Sequence, residues 1–154
     1  MSQAAEAAHE VREMLRIARH YNQELGDLRL RLREAENGLR LSEQGAQAAP
    51  SPWRRRAASP PPTRERMAQV YAEEVRRAGE RIEHIRTRRA LLDRLLKRLS
   101  EVELRIISLR WLDGKSWRAI SLRVFICERH CQRIQKQAIE TMARALIEEQ
   151  DGGS

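Results

Sequence analysis

Most of the residues that build compact catalytic cores are scarce in this chain. Its 154 residues include three Trp, two Tyr and one Phe, too little aromatic bulk for a large single core. The two cysteines, Cys127 and Cys131, lie one helical turn apart and form no disulfide framework. That usage predicts a cytoplasmic chain. No apolar run reaches the roughly 18 residues of a membrane span, and the opening MSQAAEAAHEVREM lacks the apolar centre of a signal peptide. No membrane partner is expected. Lysine occurs only at positions 97, 115 and 136, so nearly all the positive charge is arginine. The sequence has no G-x-S-x-G, Walker loop or H-E-x-x-H, and His9, His20, His84 and His130 are dispersed. Catalysis and cofactors are therefore not expected. Cys127, His130 and Cys131 supply too few converging ligands for zinc, so no metal is expected either.

What is abundant is charge, 34% of residues, with a formal net charge of +8. It is unevenly spread. Residues 1–52 carry seven basic and eight acidic groups, whereas residues 53–99 carry fourteen and six, and residues 100–149 nine and seven. A basic middle and a mildly basic end fit a polyanionic partner.

The hydrophobic pattern predicts an all-α fold. Val11, Met14, Ala18, Tyr21, Leu25, Leu28, Leu32, Ala35 and Leu39 recur at spacings of three and four, the seam of a heptad helix over residues 1–44. A second seam, Tyr71, Val75, Ala78, Ile82, Ile85, Arg89, Leu92, Leu96 and Leu99, predicts another heptad helix over residues 63–99. Each stripe must be buried, so the two helices form either a hairpin within the chain or a coiled coil with a second copy. Leu30, Leu41 and Leu91 lie off the seams and give a second copy something to cover, so a homodimer through residues 1–99 is expected, with residues 76–98 near its polyanion. All five prolines fall in the stretch between the helices, which contains APSPWRRRAASPPP and reads as a flexible linker over residues 45–62. Arg54, Arg55 and Arg56 are its candidate phosphate contacts.

The last third is the most patterned. Ser100 and Glu103 form a capping box, which starts a helix at Glu101 and puts a domain boundary before it. Ile106, Ile107, Leu109 and Leu112 are its apolar face, and Asp113-Gly114 ends it. Ser116 caps a short helix with Trp117, Ile120 and Val124 inward. After Phe125-Ile126 a helix over residues 127–147 begins, with Cys131, Ile134, Ala138, Met142 and Ala145 as its buried stripe. Trp111, Trp117, Ile120 and Ile134 are expected to be buried together, with Leu109 and Ala138 beside them. Glu128, Arg129, Gln132, Arg133 and Lys136 remain on the outer face. Residues 150–154 read as a disordered tail. A short helix, a turn and a longer helix with Arg and Gln near its start is the order of a DNA-reading helix-turn-helix, here over residues 100–149.

Residues 99–146 resemble region 4 of the sigma-70 transcription factors without a gap. LRWLDGKSWRAIS (residues 109–121) is similar to that family's supporting segment, and CERHCQRIQKQAI (residues 127–139) to its recognition helix. Phe125 stands where the family usually has Gly or Asn, and Cys127 replaces the usual Ser or Thr cap. With a long helical region in front, the chain looks like the phage and prophage late transcriptional regulators of the RinA type. The resemblance implies binding to double-stranded DNA near a promoter, with RNA polymerase as a further partner. It puts Glu128, Arg129, Gln132, Arg133 and Lys136 against base edges, and Lys115 and Arg118 against phosphates. Two other functions fit the same pattern: a phage small terminase-like packaging protein and a coiled-coil protein–protein adaptor.

Overall fold

The computed structural model describes residues 2–44 and 63–152, and all regular structure among them is helical. The order is α1 (Gln3–Ala18), α2 (Tyr21–Gln44), α3 (Arg64–Leu96), α4 (Glu101–Ile107), a π-helical turn (Ser108–Leu112), α5 (Trp117–Val124) and α6 (Glu128–Gly152). The stretch 45–62, with Arg54, Arg55 and Arg56, lies outside the described residues. The chain forms two compact units. One is Gln23–Ile85, and the other joins the chain up to Asn22 with the chain from Arg86 onward.

In the first unit α2 and α3 pair antiparallel. Arg81 Nε donates to Glu24 Oε1 at 2.8 Å near one end, Tyr71 packs on Gly38 further along, and Arg64 donates to the Ser42 and Glu43 carbonyls at the other end. Leu25, Leu28 and Ala35 of α2 and Ala78, Ile82 and Ile85 of α3 are buried, as the two seams require. Gly38 is needed here, because a Cβ at that position would come within 2.6 Å of the Tyr71 ring. Thr63 starts α3 by accepting the Arg66 N–H on its hydroxyl at 3.2 Å.

The expected single helix over residues 1–44 is two helices. The His20 N–H bonds back to the Ile17 carbonyl at 2.9 Å, a three-residue step that tightens the last turn of α1, which ends at Ala18 before α2 starts at Tyr21. The reason lies in α1's apolar face. Leu15, off the heptad seam, is buried beside Ala7, Val11 and Met14. That stripe is wider than a coiled-coil seam and suits docking on a multi-helix core.

The second unit is built on α6. The C-terminal half of α6 places Ala138, Ile139, Met142, Ala143, Ala145 and Leu146 in one core with Val11, Met14 and Leu15 of α1, Leu92 and Leu95 of α3, and Ile107. Its N-terminal half places Cys131 and Ile134 in a second core with Ile106, Leu109 and Ile120. Both halves of the expected stripe are therefore buried, on one continuous rod. A disordered tail from residue 150 is not what forms: α6 runs to Gly152. Beyond its last apolar residue it is tied by Glu148 to Arg98 at 3.0 Å, and by both carboxylate oxygens of Glu149 to Arg94 at 3.0 and 3.2 Å.

Candidate nucleic-acid interface

Three local devices set the geometry of α4 to α6. Ser100 and Glu103 close the expected capping box at the start of α4. The next turn is π-helical, with the Asp113 N–H reaching the Ser108 carbonyl at 2.9 Å, so one extra residue enters the helix before it ends. Gly114 then takes φ +68, which spares the strain a side chain would meet there, and the Lys115 N–H returns to the Leu109 carbonyl at 2.9 Å. Ser116 caps α5 by accepting the Ala119 N–H at 3.2 Å.

The expected core is divided between two clusters. Ile120, Ile134 and Leu109 are buried together with Trp117 against them, but Trp111 packs with Ala138 in the other core. Trp111 follows Ile107 of that same core by four residues and so shares its side of the helix. There its indole N–H donates to Gln135 Oε1 at 3.1 Å. Trp117 is half-buried, with the Arg110 guanidinium 4.7 Å from its ring centroid. Arg110 also donates to the Lys115 carbonyl at 3.1 Å, so one side chain holds both the loop and the start of α5.

Between α5 and α6 the chain turns on Phe125, which adopts φ 58 and ψ 38 and donates its N–H to the Ser121 carbonyl at 2.9 Å. Its side chain is 92% exposed and pays nothing back for that strained conformation. Replacement by glycine removes a left-handed penalty of roughly 1–2 kcal/mol, partly offset by the entropy of a freer unfolded chain. Phe125→Gly is therefore expected to raise stability by about 1 kcal/mol, read as a higher urea midpoint at unchanged slope. The turn is otherwise well tied, since the Ser121 hydroxyl donates to the Ile126 carbonyl at 2.6 Å. The Cys127 carbonyl accepts the Cys131 N–H and opens α6, while its thiol is exposed. Cys131 is buried, and burial pushes its thiol up from the ordinary value, as suits a small core residue. Among the described residues no three His, Cys, Asp or Glu side chains come together as a metal site.

Against this frame, Glu128, Arg129, Gln132, Arg133 and Lys136 are all exposed, on the side of α6 opposite Cys131, Ile134 and Ala138. Arg118 is exposed on α5, and Lys115 is half-buried at the loop. Between Lys115 and Lys136 there are six basic side chains and one acid, Glu128. No ion pair among the described residues engages any of the six. The arginines of α3 contrast sharply. Arg76 and Arg77 share Glu73, whose carboxyl they hold down at about 2, with the hydrogen bond from Arg76 the main cause. Arg81, Arg88 and Arg94 pair with Glu24, Glu10 and Glu149, and Arg98, just past the helix, pairs with Glu148. The middle of the chain carries the larger count of positive charge, but much of it is matched locally. Cations outside any ion pair among the described residues occur elsewhere too, Arg12 and Arg66 for instance, but from Lys115 to Lys136 all six are of this kind.

A family model described as "protein of unknown function (DUF722)" matches residues 60–144. The chain belongs to the DUF722 family. The matched stretch of this DUF722 protein takes in α3, α4, the π turn, α5 and most of α6, and leaves α1 and α2 outside. No curated protein and no solved structure matches the chain significantly. Thus α1, which completes the core beneath α6, lies outside the stretch that defines the family. No helix among the described residues is long and apolar enough to cross a membrane.

Proposed function

We propose that the chain is a sequence-specific regulator of transcription that binds double-stranded DNA, with α5 and α6 as a helix-turn-helix and α6 as the major-groove reader. The observation that carries this reading is the exposed row Arg129, Gln132, Arg133 and Lys136 on α6, whose cations no carboxylate among the described residues engages. Duplex DNA is the ligand that such a row suits. Arg matches the O6 and N7 acceptors of guanine, and Gln matches the N7 and N6 groups of adenine. Lys115 and Arg118, at the start of α5, are where a supporting helix meets the phosphate backbone. The two cores support the reading by holding α6 along its whole length, since a reader must be rigid to discriminate bases.

A single unit of this kind reads few base pairs, and doubling it supplies affinity. Leu30, Leu41 and Val70 are exposed large apolar side chains on α2 and α3. Leu91, expected to join Leu30 and Leu41 in such a surface, packs instead against the core of the second unit. We propose that the three exposed side chains are covered in a homodimer. RNA polymerase at the promoter is the further partner this reading carries. The test is selection of bound sites from random duplex DNA by the full-length chain, with mass measured by light scattering on the same sample. A recurrent two-half-site sequence bound by a dimer is the expected result. Unselected, sequence-independent recovery would sink the reader assignment, and a monomer at tens of micromolar would sink the dimer.

A further inference from the structure

Beside the start of α5 lies an open cleft of about 590 Å³ within the second unit. Arg16, Arg19 and His20, from the end of α1 and the turn after it, form one wall. Arg110, Trp111 and Trp117 form the other, and Gln135 of α6 lies at its edge. No acidic side chain lines it. The cations differ in freedom. Arg16 is tied to Glu13 at 2.6 Å. Arg110 is held by the Trp117 ring and a backbone carbonyl, with no carboxylate near enough to neutralise it. Among the described residues Arg19 bonds to His20 Nε2, at 3.5 Å, and to no carboxylate, and its guanidinium lies so close to the loop that a Cβ on Gly114 would come within 2.7 Å of Nη1. Two guanidiniums without a counter-ion thus face a hollow walled by two indoles, which limit water around them and strengthen their field.

From this geometry we infer that the cleft is a phosphate-binding site, filled by a backbone phosphate of the duplex or by a free polyphosphate. For the duplex source the inference rests on the proposed function. In that reading the first helix of the pair crosses the DNA backbone, and Trp117 is the first residue of that helix. Gln135 lies three residues after Gln132 on α6, so the cleft borders the reading face. The contact would come from α1, a helix nearly one hundred residues earlier in the chain. Arg19 would then clamp the backbone while α6 reads the bases, adding affinity on every sequence and discrimination on none.

The experiment uses the full-length chain with Trp53→Phe, so that emission comes from Trp111 and Trp117 alone. Arg19→Gln is expected to reduce the slope of log affinity against log salt by about 0.9 on random duplex, the value of one lost phosphate contact. Its preference among sequences should stay unchanged, and its melt should match that of the parent. Duplex should shift the tryptophan emission in the parent and less so in the variant. Tripolyphosphate, added without DNA, is the second arm. An emission change that Arg19→Gln abolishes, with the duplex slope unaltered, assigns the site to a free polyphosphate. No duplex binding by the parent, with the tripolyphosphate response intact, overturns the transcription reading and leaves the phosphate site standing. An unaltered duplex slope together with no tripolyphosphate response overturns the site.

Discussion

Leu15→Ala is expected to destabilise the unit that holds α6 by about 2–5 kcal/mol, the usual cost of emptying a fully buried leucine site. Leu15 is inaccessible to solvent and shares its core with Met142, Ile139 and Leu146 of α6 and with Leu92 and Leu95 of α3. A loss of that size is comparable with the whole stability of a small domain. The urea midpoint of the full chain should fall accordingly, with duplex binding lost at temperatures where the parent still binds. Arg12→Ala, an exposed change on the same helix, should stay within about 0.5 kcal/mol of the parent. A midpoint unchanged by Leu15→Ala would mean that α1 is detached in solution and that α6 is supported without it.

The distinction matters because α1 is where sequence and structure part. Val11, Met14 and Ala18 continue into Tyr21 and Leu25 at heptad spacing, and neither Gly nor Pro marks the turn at Arg19-His20. The signal that could have separated the helices is Leu15. Together with Ala7, Val11 and Met14 it makes a stripe too wide for a two-helix seam, but width is visible only when the off-seam residues are counted. What α1 docks on lies more than a hundred residues later, and no local pattern carries that pairing. The wall of the cleft made by Arg16, Arg19 and His20 was hidden for the same reason.

Elements whose stops and starts are chemical were far more legible. Ser100, Gly114 and Ser116 each do in the structure what their side chains or lack of one dictate, and the alternation of Cys131, Ile134, Ala138 and Met142 gave the buried side of α6. Trp111 sits in the α6 core beside Ile107, four residues earlier, and not with Trp117 and Ile120, from which the Gly114 loop separates it. The π turn itself leaves no mark in composition, since SLRWL contains neither glycine nor proline. Charge was legible as a count but only partly as a field. The fourteen basic groups of residues 53–99 outnumber those that follow. The pairs of Arg76 and Arg77 with Glu73 follow from helical spacing, but those of Arg81, Arg88 and Arg94 depend on which helices face each other.

That difference in pairing sets the second large effect. The double variant Arg129→Ala/Arg133→Ala is expected to lose roughly 30-fold to 20,000-fold in affinity for the selected site, since each good base contact is worth about 1–3 kcal/mol. On random duplex the loss should be much smaller, because base contacts contribute little there. Both side chains are exposed and opposite the core, so the melt should hardly change. Arg94→Ala is the matching control, removing an arginine from the more basic middle of the chain. Its guanidinium is spent on both oxygens of Glu149, an exposed pair worth about 0–1 kcal/mol to stability, and duplex affinity should be nearly unaltered. Competition binding of cognate and random duplexes at fixed salt measures both. Equal loss on the two duplexes would make Arg129 and Arg133 phosphate contacts. A larger loss from Arg94→Ala than from the double variant would move the DNA surface from α6 to α3.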